Sequence, residues 1–334
     1  MTVTLQDVAA VAGVSIKTVS NVVRDYPHVR PSTREKVQQA IDQLGYVPHS
    51  TARRLATGRT GMVAFALPAI EAPYFAELAA LMSTEVDGFD YRLLIEQTTG
   101  GLDEERAILR GREQGLIDGL VFQPTFLSAE AIEEFRGATP LVLLGEMPAP
   151  PTVDHVMVDN IAAARTATFH LLRSGRTRVA FLGRNRRVGH TTATLRLQGY
   201  RAALEEFDAA RGDDLLIPMT QFGAFAAEAA VSDALKSGIP FDGLVCFDDL
   251  SAIGAMKALS RAGRLVPDDV AVVGWDDILM TQFTAPALTT IRPDKATLVQ
   301  TAFSFLRDRM GGEDGDGRHA LVGFDLVVRS STAT

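Results

Sequence analysis

Apolar residues recur every three or four positions through the first 45 residues, which is the spacing of short amphipathic helices. The pattern predicts a helix over Leu5–Ala12, a second from Ser15 to Val23 and a third from Ser32 to Leu44. Gly13 and Gly45 follow the first and third segments, where glycine commonly ends a helix. Three short helices separated by tight turns predict a compact N-terminal domain.

Polar residues mark the starts of two of these helices. Ser15 is placed to cap the second helix, because its hydroxyl can accept a hydrogen bond from a free amide in the first turn. Ser32 and Glu35 have the spacing of a capping box at the start of the third helix. A fourth helical segment is predicted over residues 48–57, and the boundary with the next region falls at residues 58–61.

Beyond residue 61, short apolar runs rich in β-branched residues alternate with amphipathic helical stretches. The predicted strands cover Met62–Leu67, Arg92–Ile95, Arg178–Leu182, Leu244–Cys246, Val270–Val273 and Ala320–Val328, and the predicted helices cover Tyr74–Val86, Glu104–Glu113 and Ala296–Arg309. This alternation is typical of a parallel sheet with helices on both faces. It resumes after a proline-rich stretch at residues 148–151, so we expect two α/β lobes. The last helix and the last strand can close either lobe.

A short internal repeat also favours two lobes. Asp118–Val121 and Asp242–Val245 share the sequence Asp-Gly-Leu-Val, and each copy leads into a predicted strand from a helix and a turn. Four residues are weak support by themselves.

Composition places the chain among ordinary globular proteins. It has 334 residues, 46% of them hydrophobic and 22% charged, which predicts more than one domain. No run of 18 uncharged apolar residues occurs, and Met1–Ala12 lacks the pattern of a signal peptide, so we expect a cytoplasmic protein. Cys246 is the single cysteine, which fits a reducing compartment and argues against a cysteine-based metal site. We expect it to be a buried core residue.

The charges are distributed unevenly along the chain. The net charge is −8, yet residues 1–60 carry +4 and the remainder carries −12. A small basic region on an acidic body would hold DNA at one end and repel it elsewhere. The charge distribution therefore favours DNA binding by the N-terminal domain.

The second predicted helix carries side chains suited to reading DNA. Its valines would pack inward, which leaves four polar residues on the outer side: Lys17, Thr18, Ser20 and Asn21. Lys17 can donate to guanine and Asn21 can pair with adenine through two hydrogen bonds, whereas Thr18 and Ser20 can equally bind phosphate. Ile16 can contact a thymine methyl group. For Lys17 or Asn21 alone, the alternative is a residue on a solvated helix face.

Six segments form a recognisable pattern: Thr4–Ala9, Ala12–Ser15, Thr18–Ser20, Thr33–Val37, Gly45–Pro48 and Ala52–Ala56. Together they resemble the DNA-binding head of the lactose-repressor/galactose-repressor family of transcriptional regulators. The match is dense over about 58 residues and continues more weakly through the rest of the chain. The resemblance implies an all-α helix-turn-helix head followed by an α/β two-lobed core like that of periplasmic binding proteins, with parallel sheets and helices on both faces.

The resemblance also implies a division into domains. Residues 1–48 would form the helix-turn-helix domain, residues 49–60 the hinge helix and linker, and residues 61–334 the effector-binding and dimerisation core. Within the core, the first lobe would comprise about 61–160 and about 291–318. The second lobe would comprise about 161–290 and about 319–330.

The family pattern implies two sets of DNA contacts. The set in the head is Thr4, Ser15, Ile16, Lys17, Thr18, Ser20, Asn21 and His28, and the set in the hinge is Ala52, Arg53, Leu55 and Ala56. In the family, the leucine that matches Leu55 wedges into the minor groove, where unstacking is offset by the contacts that bent DNA allows. The alternative for Leu55 is a linker residue packed on the core. A segment of about nine residues is too short to be a stable helix alone, so we expect its folding to depend on DNA and on the partner subunit.

An arginine and two acids are the leading effector contacts. The segment Arg196–Tyr200 resembles the family's arginine-containing helix, and the forked donors of Arg196 suit hydroxyls or a carboxylate; the alternative is a surface arginine. Asp248 and Asp276 each follow an apolar strand, where ligand sites of α/β proteins lie. By resemblance Asp276 contacts the effector. Asp248 stands where the family commonly has asparagine, which leaves the polarity of the ligand open.

Three aromatic residues and two further acids each have two possible roles. Tyr74 and Phe75 lie in a segment that resembles the loop lining the family's ligand cleft, but core packing explains them equally well. Trp275 can stack on a sugar ring or fill the core. Asp249 and Asp277 can contact the effector or cap the helices that follow them.

Three arginines follow a predicted strand of the second lobe: Arg184, Arg186 and Arg187. If they face the cleft they favour an acidic or phosphorylated ligand, and otherwise they form a solvated loop. We therefore expect the effector to be a sugar, a sugar acid or a sugar phosphate.

An enzyme is the main alternative class, because paired aspartates also occur in glycosidases and magnesium sites. The chain has no HExxH, GxSxG or GxxxxGK[ST] motif, no GxGxxG after its first core strand, and no metal-ligand spacing among its six histidines. We therefore expect no catalytic residues, no metal and no cofactor. A transport-type sugar-binding protein shares the core, but it has no use for residues 1–58.

The sequence thus predicts a DNA-binding transcriptional regulator, and by resemblance a repressor, whose DNA affinity is controlled by a small molecule. The predicted partners are a palindromic double-stranded operator, a sugar-like effector and a second copy of the chain, since a two-fold protein matches a two-fold site. No membrane partner is expected.

Overall fold

The structure is a computed structural model that describes residues 3–23, 26–46, 59–98, 101–135, 137–185, 191–209, 212–219, 221 and 223–333. The chain forms two compact units. The first, which we call the head, comprises residues 1–61 and the short segment 115–118. The second, the core, comprises residues 62–114 and 119–334.

Three helices form the described part of the head: α1 (Leu5–Ala12), α2 (Ile16–Val23) and α3 (Pro31–Leu44). Thr4 caps α1 in a capping box with Asp7, and Gly13 ends the helix in the left-handed region at φ 67°. The Ser15 hydroxyl accepts a hydrogen bond of 3.1 Å from the amide of Thr18 at the start of α2. The first two predicted helices and the predicted Ser15 cap are therefore confirmed.

The start of α3 differs from the prediction. The helix begins at Pro31, and Arg30 occupies the N-cap position without a capping hydrogen bond from its side chain. The predicted capping box of Ser32 and Glu35 is wrong, because the fixed φ of proline suits the first helical position and starts the helix one residue earlier. Gly45 ends α3 at φ 61°, as predicted. The predicted helical segment at 48–57 lies outside the described residues.

Valines from all three helices meet in the small core of the head. Val8, Val19 and Val37 are completely buried there, with Tyr46 beside them. The helical spacing of the apolar residues therefore predicts the packing of this unit correctly.

Two six-stranded sheets form the framework of the core. Their strands are β1 (Met62–Leu67), β2 (Arg92–Gln97), β3 (Gly119–Phe122), β4 (Leu141–Leu144), β5 (Asp154–Val158), β6 (Val179–Asn185), β7 (Leu216–Met219), β8 (Gly243–Cys246), β9 (Ala271–Trp275), β10 (Thr289–Pro293), β11 (His319–Val322) and β12 (Phe324–Val327). The order is β11-β5-β4-β3-β1-β2 in the first sheet and β12-β10-β9-β8-β6-β7 in the second. Only the pairing of β12 with β10 is antiparallel among the described strand pairs.

Helices cover the sheets on both faces. They are α4 (Pro73–Asp87), α5 (Leu102–Gly111), α6 (Ala129–Glu134), α7 (Asn160–Arg173), α8 (Thr191–Glu206), α9 (Ala224–Lys236), α10 (Asp249–Arg261) and α11 (Lys295–Met310). Apolar faces of α4 and α11 pack on the first sheet. One face of the second sheet packs against α7 and α8, and the other against α9 and α10. Burial of both faces explains why these strands are continuous apolar runs rather than alternating ones.

The two copies of the Asp-Gly-Leu-Val repeat occupy the same place in the two sheets, as β3 and β8. The two aspartates also make equivalent hydrogen bonds. Asp118 accepts hydrogen bonds from the amides of Thr60 and Gly61 just before β1, and Asp242 accepts from the amides of Thr177 and Arg178 just before β6. The repeat therefore reflects a common construction of the two lobes.

The chain passes from one lobe to the other three times. It crosses between β5 and α7, again between β10 and α11, and finally between β11 and β12 at Gly323. The single final strand predicted over Ala320–Val328 is wrong, because β11 pairs with β5 of the first sheet and β12 with β10 of the second. Residues 319–322 thus belong to the first sheet and residues 291–293 to the second, whereas the sequence places 319–322 in the second lobe and 291–293 in the first.

Two further observations bear on the sequence analysis. Cys246 is buried in the second sheet, as predicted. Among the helices of the described residues, none has the length and apolarity that crossing a membrane requires.

Candidate effector cleft and DNA-reading helix

A cleft of about 710 Å³ lies between the two lobes of the core. The loops that line it follow the carboxyl ends of β1, β3 and β4 in the first lobe and of β8 and β9 in the second. Parallel strands bring these ends to one edge of each sheet, so side chains that are distant in sequence meet there. Five of the six predicted effector residues line the cleft: Tyr74, Phe75, Arg196, Asp248 and Asp276.

Arg196 lies within α8 and is 93% buried, so a surface role is excluded. Its Nε donates to Asn160 Oδ1 at 2.7 Å, and its Nη1 donates to the carbonyl of Phe247. Its guanidinium carbon lies 3.8 Å from the ring centroid of Trp275 and 4.7 Å from that of Phe247. Burial lowers the pKa of Arg196, and the nearby acids oppose that shift. The guanidinium is therefore fixed in orientation before any ligand arrives.

Of the two alternatives for Trp275, the structure supports filling of the core, because the side chain is buried in the core of the second lobe and is not among the residues that line the cleft. It is the last residue of β9, and its side chain is buried in the second lobe beside Arg196. Side chains alternate between the faces of a strand, and the position of Trp275 directs its ring into the core. Trp275 therefore supports the side chain of Arg196.

Asp276 presents its carboxylate to the cleft. The residue is 92% buried and has a φ of 108°, which is unusual for a residue other than glycine. Its amide donates to the carbonyl of Ile291, but no described residue donates a hydrogen bond to its carboxylate. Burial raises the pKa of Asp276 well above its ordinary value, while Arg196 opposes this. Because the carboxylate lines the cleft and no described residue donates to it, its oxygens are available to ligand donors.

Asp248 combines a structural role with a place in the cleft. It is the N-cap of α10, and its Oδ1 accepts a hydrogen bond of 2.6 Å from the amide of Ser251. Burial raises the pKa of Asp248, and Arg196 opposes the shift. One oxygen thus serves the helix, while the residue borders the cleft.

Asp249 is the next residue and is fully buried beneath the cleft. Its two oxygens accept from the Thr290 hydroxyl at 2.6 Å and from the Ile278 amide at 2.9 Å. A Cβ added at Gly274 would collide with the carboxylate, so glycine is required there. Burial raises the pKa of Asp249 to about 7. Asp249 is therefore neither an effector contact nor a helix cap. Asp248 caps α10, and the carboxylate of Asp249 joins three segments of the second lobe.

Asp277 forms an ion pair rather than a helix cap. Its Oδ1 lies 2.7 Å from Nη2 of Arg329 and accepts a hydrogen bond from the Thr281 hydroxyl. It borders a second, more open depression of about 880 Å³, where Lys295 is paired with Glu77 and Arg292 with Asp325. Because these charges are already paired, this depression is a weaker candidate for a ligand site than the cleft.

Glu146 is a cleft residue that the sequence analysis missed. It follows β4 in the first lobe and accepts hydrogen bonds from Asn160 Nδ2 at 2.8 Å and from the Thr192 hydroxyl at 2.7 Å. Asn160 in turn accepts from Arg196, so a chain of hydrogen bonds joins the first lobe to the arginine of the second. Neither residue stands in a motif. Only the position of Glu146 after an apolar strand indicates a place at the same edge of the sheet.

The aromatic residues Tyr74 and Phe75 lie at the start of α4 and line the first-lobe side of the cleft. Their rings pack edge to face with centroids 5.3 Å apart. Burial raises the pKa of Tyr74, and the acids of the cleft add to the shift. The first lobe thus contributes mainly apolar surface, and the second lobe contributes most of the charged groups.

The head presents its predicted DNA contacts to solvent. Val19 and Val22 of α2 are buried, as the sequence predicts. The predicted contacts all lie outside this small core, in exposed or half-buried positions: Thr4, Ser15, Ile16, Lys17, Thr18, Ser20, Asn21 and His28. The hydroxyls of Thr4 and Ser15 also serve as helix caps. A polar, exposed helix face next to a tight turn is the arrangement that a helix-turn-helix motif requires.

Several predicted residues cannot be placed. The hinge residues Ala52, Arg53, Leu55 and Ala56 lie outside the described residues, as do Arg186 and Arg187. Arg184 belongs to β6, but its side chain is likewise outside the description.

Comparisons with known proteins agree with this architecture. Residues 4–49 match the model of bacterial regulatory proteins of the lacI family, and residues 168–332 match the periplasmic binding protein-like domain. The ribose operon repressor of Halalkalibacterium halodurans is 30% identical over 329 residues, which cover 98% of this chain and 97% of that protein.

Solved structures show the same relationship. The lac repressor dimer bound to operator and the anti-inducer ONPF is 26% identical, with a TM-score of 0.90 and full coverage of both chains. A complex of the transcriptional regulator CelR with cellobiose is 27% identical, with a TM-score of 0.74, and covers 98% of this chain and 99% of that one. This family consists of transcriptional regulators, so the enzyme alternative is excluded. The chain belongs to the lacI family of bacterial regulatory proteins and is a DNA-binding transcriptional regulator with a two-lobed core like that of periplasmic binding proteins.

Proposed function

We propose that this regulator represses transcription from a palindromic operator and that a carbohydrate bound in the cleft controls its affinity for DNA. The observation that carries the effector part is the carboxylate of Asp276, which lines the cleft without a protein donor among the described residues and lies there with the fixed guanidinium of Arg196. Sugar hydroxyls both donate and accept, so one ring can bind the two groups together. Relatives whose names refer to ribose and cellobiose support this ligand class.

For DNA recognition, we assign the major groove to α2. Lys17 and Asn21 contact base edges, and Ser15, Thr18 and Ser20 contact bases or phosphates, with Ile16 on a thymine methyl. Thr4 and His28 flank the helix as further contacts. Leu55 remains our candidate for the wedge in the minor groove, with Ala52, Arg53 and Ala56 beside it. DNA binding of this kind implies a cytoplasmic protein.

Control of DNA binding requires two states of the core. Three crossings join the lobes, which is the construction of a domain that closes on its ligand by hinge motion. A sugar held by Arg196 and Asp276 in one lobe and by Tyr74 and Phe75 in the other favours one lobe arrangement. The effector then changes DNA affinity by its difference in affinity for the two arrangements.

We propose a homodimer as the DNA-binding species. The short 3-10 helix Leu279–Gln282 and the residue after it expose three large apolar side chains, of which Phe283 is 80% exposed. Apolar side chains this exposed are commonly covered by a partner. We expect Phe283→Asp to yield monomers in sedimentation velocity, whereas Leu265→Asp, a change at another exposed leucine, leaves dimers. A dimeric Phe283→Asp variant would show that a different face forms the interface.

The test of DNA recognition is selection of bound sequences from a random double-stranded pool by the full-length protein. We expect two inverted half-sites, and binding should fall sharply when one half-site is reversed. Leu55→Ala should weaken binding to the selected site far more than binding to random DNA. Failure to enrich any sequence would refute the proposal.

A further inference from the structure

A short segment leads from the cleft to the exposed 3-10 helix of the second lobe. It runs from Asp276, which lines the cleft, to Leu279, which begins the 3-10 helix. Asp276 and Asp277 have φ values of 108° and 48°, which are uncommon for residues other than glycine. Such a backbone persists only where the surrounding contacts hold it. The contacts of this segment therefore determine where the 3-10 helix lies.

The second lobe holds the first part of the segment. The amide of Asp276 donates to the carbonyl of Ile291 at 2.8 Å, and the amide of Ile278 donates to the carboxylate of Asp249 at 2.9 Å. These acceptors belong to β10 and to the start of α10, which are both elements of the second lobe. The segment is thus fixed to its own lobe up to the residue before Leu279.

The amide of Leu279 has its acceptor in the first lobe. It donates to Oε1 of Glu77 on α4 at 3.2 Å. Oε2 of Glu77 pairs with Nζ of Lys295, the first residue of α11, and the same Nζ donates to the carbonyl of Asp277 at 3.3 Å. Both α4 and α11 pack on the first sheet. The first lobe therefore holds the end of the segment through one carboxylate and one ammonium group.

The Glu77–Lys295 pair is partly shielded from solvent. The side chain of Lys295 is 11% exposed and that of Glu77 is 33% exposed. Fully exposed ion pairs contribute little to stability, whereas hydrogen bonds to charged groups gain strength where water is withdrawn. Lys295 thus fixes the orientation of the carboxylate that accepts from Leu279.

The 3-10 helix and the residue after it carry the apolar side chains assigned to the homodimer interface. We call these exposed side chains the dimer surface: Leu279, Met280 and Phe283. Thr281 is buried between them, and its hydroxyl accepts a hydrogen bond of 3.0 Å from Nη1 of Arg329 in the second lobe. The dimer surface is therefore held by the second lobe at Thr281 and by the first lobe at Leu279.

We propose that Glu77 is a positioning residue of the homodimer. It fixes the 3-10 helix from the first lobe, so that the dimer surface of the second lobe takes the arrangement that a second copy of the chain requires. Without the carboxylate, the start of the helix loses both its acceptor and its link to the first lobe, and the dimer weakens. This inference rests on the proposed function, because it requires that Phe283 lie in the homodimer interface.

The variant Glu77→Ala removes the carboxylate from this link. Alanine favours helices, so α4 keeps its conformation. Glu134→Ala is the matched control, because it makes the same change at an exposed glutamate of the first lobe outside the depression that contains Glu77. Both changes are also made in the monomeric Phe283→Asp protein, where dimerisation does not contribute to thermal stability. Similar melting temperatures there show that both variants fold.

The measurement is fluorescence-detected sedimentation velocity of the full-length protein over a concentration series without DNA. We expect Glu77→Ala to raise the dimer dissociation constant about tenfold and Glu134→Ala to leave it within about twofold of the wild type. In a Phe283→Ala background, Glu77→Ala should raise the constant by less than about threefold, because the surface that it positions has lost its most exposed side chain.

The outcomes separate the two proposals. Equal dissociation constants for Glu77→Ala and Glu134→Ala overturn the inference and leave the homodimer and its surface standing. An undiminished effect of Glu77→Ala in the Phe283→Ala background shows that Glu77 acts on another part of the interface, which also overturns the inference. A dimeric Phe283→Asp protein contradicts the proposed dimer surface itself, and the inference falls with it.

Discussion

The head and the cleft present their candidate functional groups in opposite ways. On α2 of the head, Lys17 is exposed and Asn21 is half-buried, outside the valine core. In the cleft, Arg196 and Asp276 are more than nine-tenths buried, and Arg196 is held by hydrogen bonds and aromatic rings. DNA brings its own partners to an exposed helix face. A small ligand requires groups that are fixed and desolvated beforehand.

This difference has an energetic consequence. Substitutions on the polar face of α2 should change DNA binding without changing the stability of the fold, because they remove no contact of the valine core. Substitutions in the cleft should change ligand binding and stability together, because each side chain is also a part of the core.

The largest effect is expected for Arg196→Ala. It removes the donors to Asn160 and Phe247 and leaves the carboxylate of Asp276 uncompensated. We expect a loss of about 3–5 kcal/mol in the free energy of unfolding and loss of sugar binding. Urea denaturation measures the loss of stability and titration calorimetry the loss of binding. A variant that loses binding but keeps full stability would contradict the expectation that the two change together in the cleft.

Asp249→Ala should cost about 2–3 kcal/mol, since it leaves the Thr290 hydroxyl and the Ile278 amide buried without an acceptor. Urea denaturation checks this value against Asp233→Ala, which we expect to lie within about 0.5 kcal/mol of the wild type. Equal stabilities of the two variants would show that Asp249 does not hold the segments beneath the cleft.

Asn21→Ala should weaken binding to the selected operator by about 1–3 kcal/mol, because it removes the side chain assigned to adenine. Its free energy of unfolding should change by less than about 0.5 kcal/mol. Gln39→Ala, at an exposed amide of α3, is the control for DNA binding. Fluorescence anisotropy measures operator binding and urea denaturation measures stability. A large loss of stability in Asn21→Ala would contradict the expectation that DNA recognition and stability are independent in the head.

Asp249 should also make stability depend on pH. The folded state raises the pKa of Asp249 to about 7, above its unfolded value, so it binds this proton more tightly than the unfolded state does. The stabilising contribution is complete below the unfolded pKa, near pH 4, and is lost as the pH rises through about 7. Between these values the slope reaches at most about 1.4 kcal/mol per pH unit. In Asp249→Asn, the free energy of unfolding should depend less on pH than in the wild type. An equal dependence in the two proteins would contradict the raised pKa of Asp249.

Much of the fold follows from the sequence. The helical period of Val8, Val19 and Val37 places the core of the head, and apolar runs such as Met62–Leu67 place the strands. The capping box at Ser32 is wrong because Pro31 imposes its own start on α3. The division of residues 319–327 into two strands depends on long-range pairing, which local periodicity does not contain.

The candidate site is predictable only in part. Asp276 and Asp248 could be placed because each follows an apolar strand at the ligand edge of a sheet. Glu146 and Asn160 could not, since their roles arise from contacts between the lobes. Whether Asp248 or Asp249 caps α10 depends on the residue at which the helix starts. The sequence pattern does not locate that start to a single residue.

The central claim is that the core controls DNA binding through its cleft. Its most direct test is the affinity of the full-length protein for its selected operator, measured by fluorescence anisotropy at fixed salt with and without the sugar that binds best. The account predicts a change of about fivefold or more in the wild type and no change in Arg196→Ala. A sugar that binds the core and leaves the wild-type affinity for the operator unchanged would contradict it.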